Sequence, residues 1–171
     1  ALIPRGDSEP VAEAAVELMR GCAAPLIADI CTGSGAYALA LACFLPRAML
    51  HAADISPAAL ALAAENARAL NLEQRIRFYQ GDLCAPLLAK GLKFDLIVCN
   101  PPYIARAELA RLAPQLRYEP LLALDGGEDG LDYFRRLLKQ APPLLNPGAY
   151  LLLEHGYGQS PAIRHMAEAA G

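Results

Sequence analysis

The tetrapeptide Asn100-Pro101-Pro102-Tyr103 combines residue types suited to one task, the methylation of a planar, conjugated NH2 group. Such a nitrogen is a poor nucleophile because its lone pair is delocalised. If the Asn100 side-chain oxygen and the Pro101 carbonyl each accept one of its N–H groups, the nitrogen is held with its lone pair aimed at an incoming methyl carbon. Each proline confines the residue before it to extended geometry, so the Asn100 and Pro101 carbonyls are fixed in advance and cannot be drawn into a helix. Tyr103 is placed to pack against the flat face of the amide or base. Catalysis of this kind works by positioning and preorganised acceptors and needs no general base. Read blandly, the same residues end a strand beside a half-buried tyrosine, and the choice between the two readings depends on what lies upstream.

Upstream, Gly33-Ser34-Gly35-Ala36-Tyr37-Ala38 fits the GxGxxG/A nucleotide pattern, and Asp54 follows about 20 residues on, where a carboxylate accepts ribose hydroxyls. The glycines let a ligand approach the backbone, and the amino end of the following helix favours negative charge. Both NAD and S-adenosylmethionine offer a ribose diol to Asp54, and this pattern alone does not separate them. Asp29, two residues before Cys31, suits a cationic amino acid and sulfonium better than a pyrophosphate. In Gly81-Asp82-Leu83, Asp82 is placed to accept an adenine amine while Leu83 packs on the ring, although a solvated turn reads Asp82 equally well.

These residues need a scaffold. Short β-like runs alternate with helical stretches, which argues for parallel strands joined by crossover helices. Strands are expected at 26–31, 48–53, 75–79, 94–99 and 149–154, and helices at 10–20, 37–45, 57–70, 131–140 and 161–170. Ser56 should cap the third of these helices with Pro57 in its first turn, and Ser160 and Gly171 should cap the last. The connection 103–130 is too long for a tight turn, carries a short helix at 105–113, and by its length reads as functional. The fold class is α/β, a doubly wound, mostly parallel open sheet. In that class ligands sit beyond the carboxyl ends of the strands, where Asp29–Gly35, Asp54–Ser56 and Asn100–Tyr103 all fall.

Composition narrows the function classes. The 171 residues suit one domain, 1–171, and 55% hydrophobic residues suffice for a packed core. Mean hydropathy is positive at +0.25, yet the apolar stretch from Ala36 runs only eleven residues before Arg47, short of the roughly 18 that span a bilayer. A net charge of −3 without any long basic run disfavours direct nucleic-acid binding. The five cysteines form no CxxC, so neither a disulfide frame nor a metal site is expected, and they read as reduced core thiols of a cytoplasmic protein. His51 and His165 lack any partner pattern, and His155 reads as a turn residue. The chain starts without an initiator Met or a signal pattern and reads as a fragment of something longer.

The sequence resembles the class I S-adenosylmethionine-dependent methyltransferases, and within them the release-factor glutamine N5-methyltransferases. Ile3-Pro4-Arg5 with Asp7-Ser8-Glu9 is similar to that family's opening motif, Asp29 to Gly35 to its cofactor loop, and Asn100 to Ile104 to its catalytic motif. Glu119-Pro120, Asp129-Gly130-Leu131 and Glu154-His155-Gly156 with Gln159 extend the likeness. The resemblance implies a Rossmann-like sheet of order 3-2-1-4-5. It implies methyl transfer from S-adenosylmethionine, leaving S-adenosylhomocysteine, to the glutamine amide of the Gly-Gly-Gln motif in bacterial-type release factors. It places Asp29, Cys31, Thr32, Gly33, Ser34 and Gly35 around the methionine part, Asp54 with Ile55 at the ribose, and Asp82 and Leu83 at the adenine. Asn100, Pro101, Pro102 and Tyr103 would hold the glutamine, with Asn100 also touching cofactor.

Two departures stand out. Cys31 replaces the family's usual glycine, so its backbone is either ordinary or strained by about 1–2 kcal/mol if φ is positive. The family's amino-terminal helical domain and closing strand pair lie outside these residues, which would leave 149–154 as an apolar edge. Two other functions remain: methylation of an exocyclic amine in DNA or ribosomal RNA, and a cofactor-binding module of weak activity.

Overall fold

The computed structural model describes residues 8–110, 112 and 119–170. In chain order the elements are α1 (Glu9–Met19), β1 (Leu26–Ile30), α2 (Ala36–Phe44), β2 (Met49–Asp54), α3 (Pro57–Ala69), β3 (Ile76–Gln80), α4 (Ala85–Leu88), β4 (Phe94–Cys99), α5 (Arg106–Leu109), α6 (Asp132–Gln140), β5 (Leu145–Leu153) and α7 (Ser160–Ala170). Two 3-10 turns, Leu121–Ala123 and Pro142–Leu144, precede α6 and β5. All five strands are parallel and lie in the order β3-β2-β1-β4-β5, as the resemblance implies.

Strand alternation divides the core in two. Ile27, Leu50, Leu96 and Val98 face Ala15, Met19, Leu41 and Ala67 on one side of the sheet, which belongs to α1, α2 and α3. Ala28, Ile30, Ile97 and Cys99 face Leu87, Leu137 and Leu144 on the other, where α4 and α6 pack. The central strands are buried on both faces, which is why they read as apolar runs rather than alternating ones. Asp29 falls on the α2 side, between two residues that point the opposite way.

Helix α3 starts as its sequence dictates: Ser56 Oγ accepts the Ala59 N–H at 3.2 Å, with Pro57 in the first turn. Helix α2 has a different device. Its N-cap is Gly35 at φ +87°, which has no side chain to offer, and the cap comes instead from Asp29 of β1, whose Oδ2 accepts the Ala38 N–H at 3.0 Å. Gly35 is also a close approach, since a Cβ there would stand 3.1 Å from the Ala63 Cβ of α3.

Several expected boundaries need correction. Strand β5 begins at Leu145, not 149, because Pro147 and Gly148 form an irregularity that shifts the β4–β5 register between Phe94 and Leu96 instead of ending the strand. Asp95 stitches that region, accepting the Leu26 N–H at 2.9 Å and the Asn146 side-chain amide at 2.8 Å. The helix expected at 105–113 is one turn, Arg106–Leu109, and its last expected residue lies outside the described residues. Ser160 is the first residue of α7 rather than its cap, and Gly171 also lies outside them. Not all the cysteines are core thiols, since only Cys84 and Cys99 are buried and Cys43 is exposed. Strand β5 is a sheet edge with Tyr150 exposed. Among the described residues no helix is long and apolar enough to cross a membrane, and no cluster of His, Cys, Asp or Glu is arranged to hold a metal ion.

Candidate active site

At the carboxyl ends of β1, β2, β3 and β4 lies a cleft of about 380 Å³, within the range that holds a small cofactor. Its walls bring together Cys31, Thr32, Gly33 and Ser34 from the loop after β1, Asp54 and Ile55 after β2, Asp82 and Leu83 after β3, and Asn100 and Pro102 after β4. Ten of the candidate residues thus face one space.

The loop after β1 owes its shape to a run of left-handed residues: Cys31 at φ +60°, Gly33 at +59° and Gly35 at +87°. Cys31 therefore takes the strained alternative, and the loop carries a Cβ where glycine would cost nothing. Leu83, at φ +48°, is a second strained residue in the same cleft, and nothing in its sequence context announced it. Non-glycine residues in this region persist only where the surroundings over-determine them. Here the surroundings are hydrogen bonds: the Thr32 N–H donates to the Ala53 carbonyl at 3.0 Å, the Gly33 N–H to Asp54 Oδ2 at 2.9 Å, and the Asn66 amide to the Ser34 carbonyl at 3.0 Å.

Asp54 is half-buried at the cleft wall. Its Oδ1 accepts the Ser56 N–H at 2.9 Å as its Oδ2 accepts that of Gly33, so both oxygens of this cleft-lining carboxylate are fixed by backbone donors. Asp29 sits deeper, 1% exposed, and does not itself line the cleft. Its Oδ2 accepts from Thr32 Oγ1 at 2.5 Å as well as from Ala38, while Oδ1 is buried with no hydrogen-bond partner. Burial drives its pKa up to about 7, against the lowering pull of the Thr32 and Ala38 hydrogen bonds and with a further push from the Asp54 charge.

Asp82 is half-exposed and paired with the Arg136 guanidinium from α6, which in turn lies 5.7 Å over the Tyr133 ring. Tyr133 lines the cleft, and Arg136 lines an adjoining surface groove that shares Tyr133 and Leu122 with it. Composition and spacing gave no sign of this Arg136–Tyr133 wall.

The remaining candidates divide. Pro101 is buried behind Asn100, and Tyr103 is half-buried outside the cleft lining, its chain enclosed by glycines: a Cβ on Gly126 would stand 2.7 Å from Tyr103 Cα, and one on Gly156 3.1 Å from Tyr103 Cδ2. Gly35 packs behind the loop. His155 is exposed and bonds only its neighbour's carbonyl, whereas His51 is buried, stacked on Tyr79 and hydrogen-bonded to its hydroxyl at 2.9 Å.

One side of the cleft is closed by contacts that sequence patterns do not carry. Ser8, Glu9 and Ala12 at the start of α1 reach the cleft, and a shared carboxylate anchors them: Ser8 Oγ and the Tyr37 hydroxyl each donate to Glu154 Oε2 at 2.6 Å. Burial, reinforced by Glu154, raises the Tyr37 phenol far above its ordinary value, so it remains a donor. Tyr37 occupies a variable position of the glycine pattern and Glu154 follows β5. The opening residues 3–5 and 7 lie outside the described residues.

The residues present fit an adenosyl cofactor with a cationic amino-acid tail. The loop after β1, the Asp54 carboxylate and the apolar side chains of Leu83 and Ile55 line one cleft, and the Asp29 Oδ1 is a buried acceptor without a hydrogen-bond partner behind the loop.

Comparisons with known proteins point the same way. Residues 12–116 match the family model described as methyltransferase small domain. The chain is 54% identical over 170 residues to a release factor glutamine methyltransferase of Moorella thermoacetica, covering 99% of this chain and 59% of that protein. It is 45% identical over 171 residues to a protein of the same name from Geobacter sulfurreducens, covering 99% and 58%. It thus spans under two thirds of the length of these curated relatives. Among solved structures, a ribosomal protein L11 methylase from Lactobacillus delbrueckii subsp. bulgaricus superposes with a TM-score of 0.69 at 25% identity, covering 97% of this chain and 69% of that one.

Proposed function

The chain belongs to the methyltransferase small domain family, and from that premise we propose that it is the catalytic part of a cytoplasmic enzyme that methylates the side-chain amide nitrogen of the glutamine in the Gly-Gly-Gln motif of peptide chain release factors, using S-adenosylmethionine. The observation that carries this reading is that Asn100 and Pro102 face the same cleft as the glycine loop and Asp54. The relatives' names supply the acceptor.

When bound, S-adenosylmethionine supplies an electrophilic methyl group on a positively charged sulfur. Asp54 would hold the ribose hydroxyls, Asp82 the adenine amine, and Leu83 the face of the ring. The loop from Cys31 to Gly35 would cradle the amino-acid tail. At the acceptor, Asn100 and the Pro101 carbonyl accept the two N–H groups of the glutamine amide and fix the orientation of its lone pair. Holding the nitrogen there replaces a bimolecular encounter by a fixed one, an effect on the order of 7–11 kcal/mol when alignment is complete. The surplus proton departs to water once the nitrogen is alkylated, so the site needs acceptors rather than a base.

A transfer assay with labelled methyl donor tests this reading, offering the intact protein a release factor, the same factor with its Gly-Gly-Gln glutamine replaced, and unmethylated DNA. Label should enter only the unaltered factor. Label in DNA and none in the factor would overturn the proposal in favour of nucleic-acid amine methylation.

A further inference from the structure

Gln159, in the loop between β5 and α7, spends its entire side-chain amide on three separate loops at the carboxyl end of the sheet. Its Oε1 accepts the Gly156 N–H at 2.8 Å, and its Nε2 donates to the Tyr103 carbonyl at 2.9 Å and to the Gly130 carbonyl at 3.3 Å. The three partners belong to the Asn100–Tyr103 loop, the loop before α6, and the β5–α7 loop. Only a carboxamide has two diverging N–H groups and one acceptor in this arrangement.

What these bonds hold is Tyr103. A Cβ on Gly130 would stand 2.4 Å from the Tyr103 oxygen and 2.6 Å from Gln159 Nε2, and one on Gly156 3.0 Å from Gln159 Oε1 and 3.1 Å from Tyr103 Cδ2. The Tyr103 main chain is therefore gripped through its carbonyl, and its ring lies on Gly156, which the same amide grips from the other end. Neighbouring backbone bonds complete the frame: the Ile104 N–H donates to the Leu124 carbonyl at 3.0 Å, and the Gly126 N–H to the Ile104 carbonyl at 2.8 Å. Strand β4 fixes the upstream end of the Asn100–Tyr103 segment, and Gln159 fixes the downstream end. Gln159 does not line the cofactor cleft.

We infer that Gln159 is a positioning residue for methyl transfer, setting the main chain and ring of Tyr103 so that the Asn100–Tyr103 segment meets the acceptor amide in register. The inference rests on the proposed reaction and adds to it a residue that touches neither cofactor nor acceptor. Its role predicts a kcat effect with cofactor affinity spared, since the cleft walls are untouched. A misplacement of about 1 Å at a reacting centre can cost on the order of a hundredfold in rate.

The test uses Gln159→Glu in the intact protein, which keeps the shape and puts an acceptor where two carbonyls need a donor. Steady-state kinetics on a release factor should show kcat lowered about a hundredfold, with affinity for S-adenosylhomocysteine, measured by calorimetric titration, within a few fold of the unsubstituted protein. In a cycle with Tyr103→Ala the two losses should be markedly less than multiplicative, because they act through one side chain. Gly156→Ala, whose Cβ would crowd both Gln159 Oε1 at 3.0 Å and the Tyr103 ring at 3.1 Å, disturbs the same contact from its other end, should reproduce the kcat loss and serves as the readout if the Glu variant does not fold. Unchanged kcat in the variants, multiplicative losses in the cycle, or an equal loss of cofactor affinity would each overturn the positioning role. Absence of transfer by the unsubstituted protein would instead overturn the reaction on which it rests.

Discussion

Asp29 caps α2 from the neighbouring strand: its Oδ2 accepts the Ala38 N–H at 3.0 Å, while its Oδ1 lies buried without a partner. One carboxylate thus fixes the helix whose amino end faces the cofactor cleft, and it does so where ionisation is disfavoured by burial.

That placement gives a pH dependence with a definite sign. Burial raises the folded-state pKa of Asp29 to about 7 from 3.8, so between those values the folded state binds more protons than the unfolded one. The contribution is present below about pH 4 and is lost as pH rises through about 7. His51 opposes it, since burial lowers its pKa, with Arg77 adding to the effect; its contribution is present above about 6.5 and is lost as pH falls. Thermal unfolding of the protein and of Asp29→Asn at several pH values separates the two. The difference in Tm between them should change in favour of the Asn variant as pH rises from about 4 to 8, by about 2–4 °C per kcal/mol. A constant difference would contradict the assignment.

Asn100→Ala addresses the division of labour in the cleft. Removing one preorganised hydrogen-bonding group at a reacting centre costs on the order of 10²–10³ in kcat, and turnover should fall at least that far. Affinity for the cofactor should stay within a few fold, because Asp54, Leu83 and the glycine loop are untouched. Kinetics paired with a binding titration decides it, an equally large loss of cofactor affinity being the contrary result.

Cys31→Gly should stabilise the protein slightly. Relief of a positive φ contributes about 1–2 kcal/mol, and the extra chain entropy of glycine offsets about 0.5–1 kcal/mol of that. The net expectation is a gain of up to about 1.5 kcal/mol, read as a higher urea midpoint at unchanged slope. A lower midpoint would mean that the half-buried thiol packs for more than the strain it imposes.

How much of this was legible beforehand follows from the range of the interactions involved. Strand β4 and the Ser56–Pro57 start of α3 are readable to the residue, because a mostly apolar run closed by a proline pair and a cap-plus-proline pair are local signals. The cleft wall of Gly33, Asp54, Asp82 and Asn100 was readable because the fold class puts every strand's carboxyl end on one edge. The expected strand at 149–154 misses the first residues of β5 because those residues pair with β4 across an irregularity at Pro147-Gly148, and pairing across a register shift has no local pattern. Residue type leaves strain at Cys31 as one of two alternatives and does not reveal it at Leu83, since a positive φ is set by the bonds around a residue rather than by its type. Arg136 on Asp82 and Glu154 on Tyr37, 54 and 117 residues apart, have no spacing rule at all.

The Glu154 contact carries a prediction of its own. Two hydroxyls, from Ser8 and Tyr37, donate to one carboxylate oxygen at 2.6 Å each, and Tyr37 cannot ionise away from the arrangement because burial holds its proton. Glu154→Ala leaves both donors without their acceptor, at a cost of about 1–3 kcal/mol for a half-buried group. Tyr37→Phe removes one donor and leaves the Ser8 bond, so it should cost less. The larger consequence is local. Ser8 ties the first turn of α1 to the end of β5, and Ser8, Glu9 and Ala12 form one wall of the cleft. Amide hydrogen exchange in Glu154→Ala should therefore speed up in the first turns of α1 while β1 and β4 keep their protection, and cofactor affinity should fall with it. Uniformly faster exchange across the sheet would instead show that Glu154 supports the whole fold and not this wall.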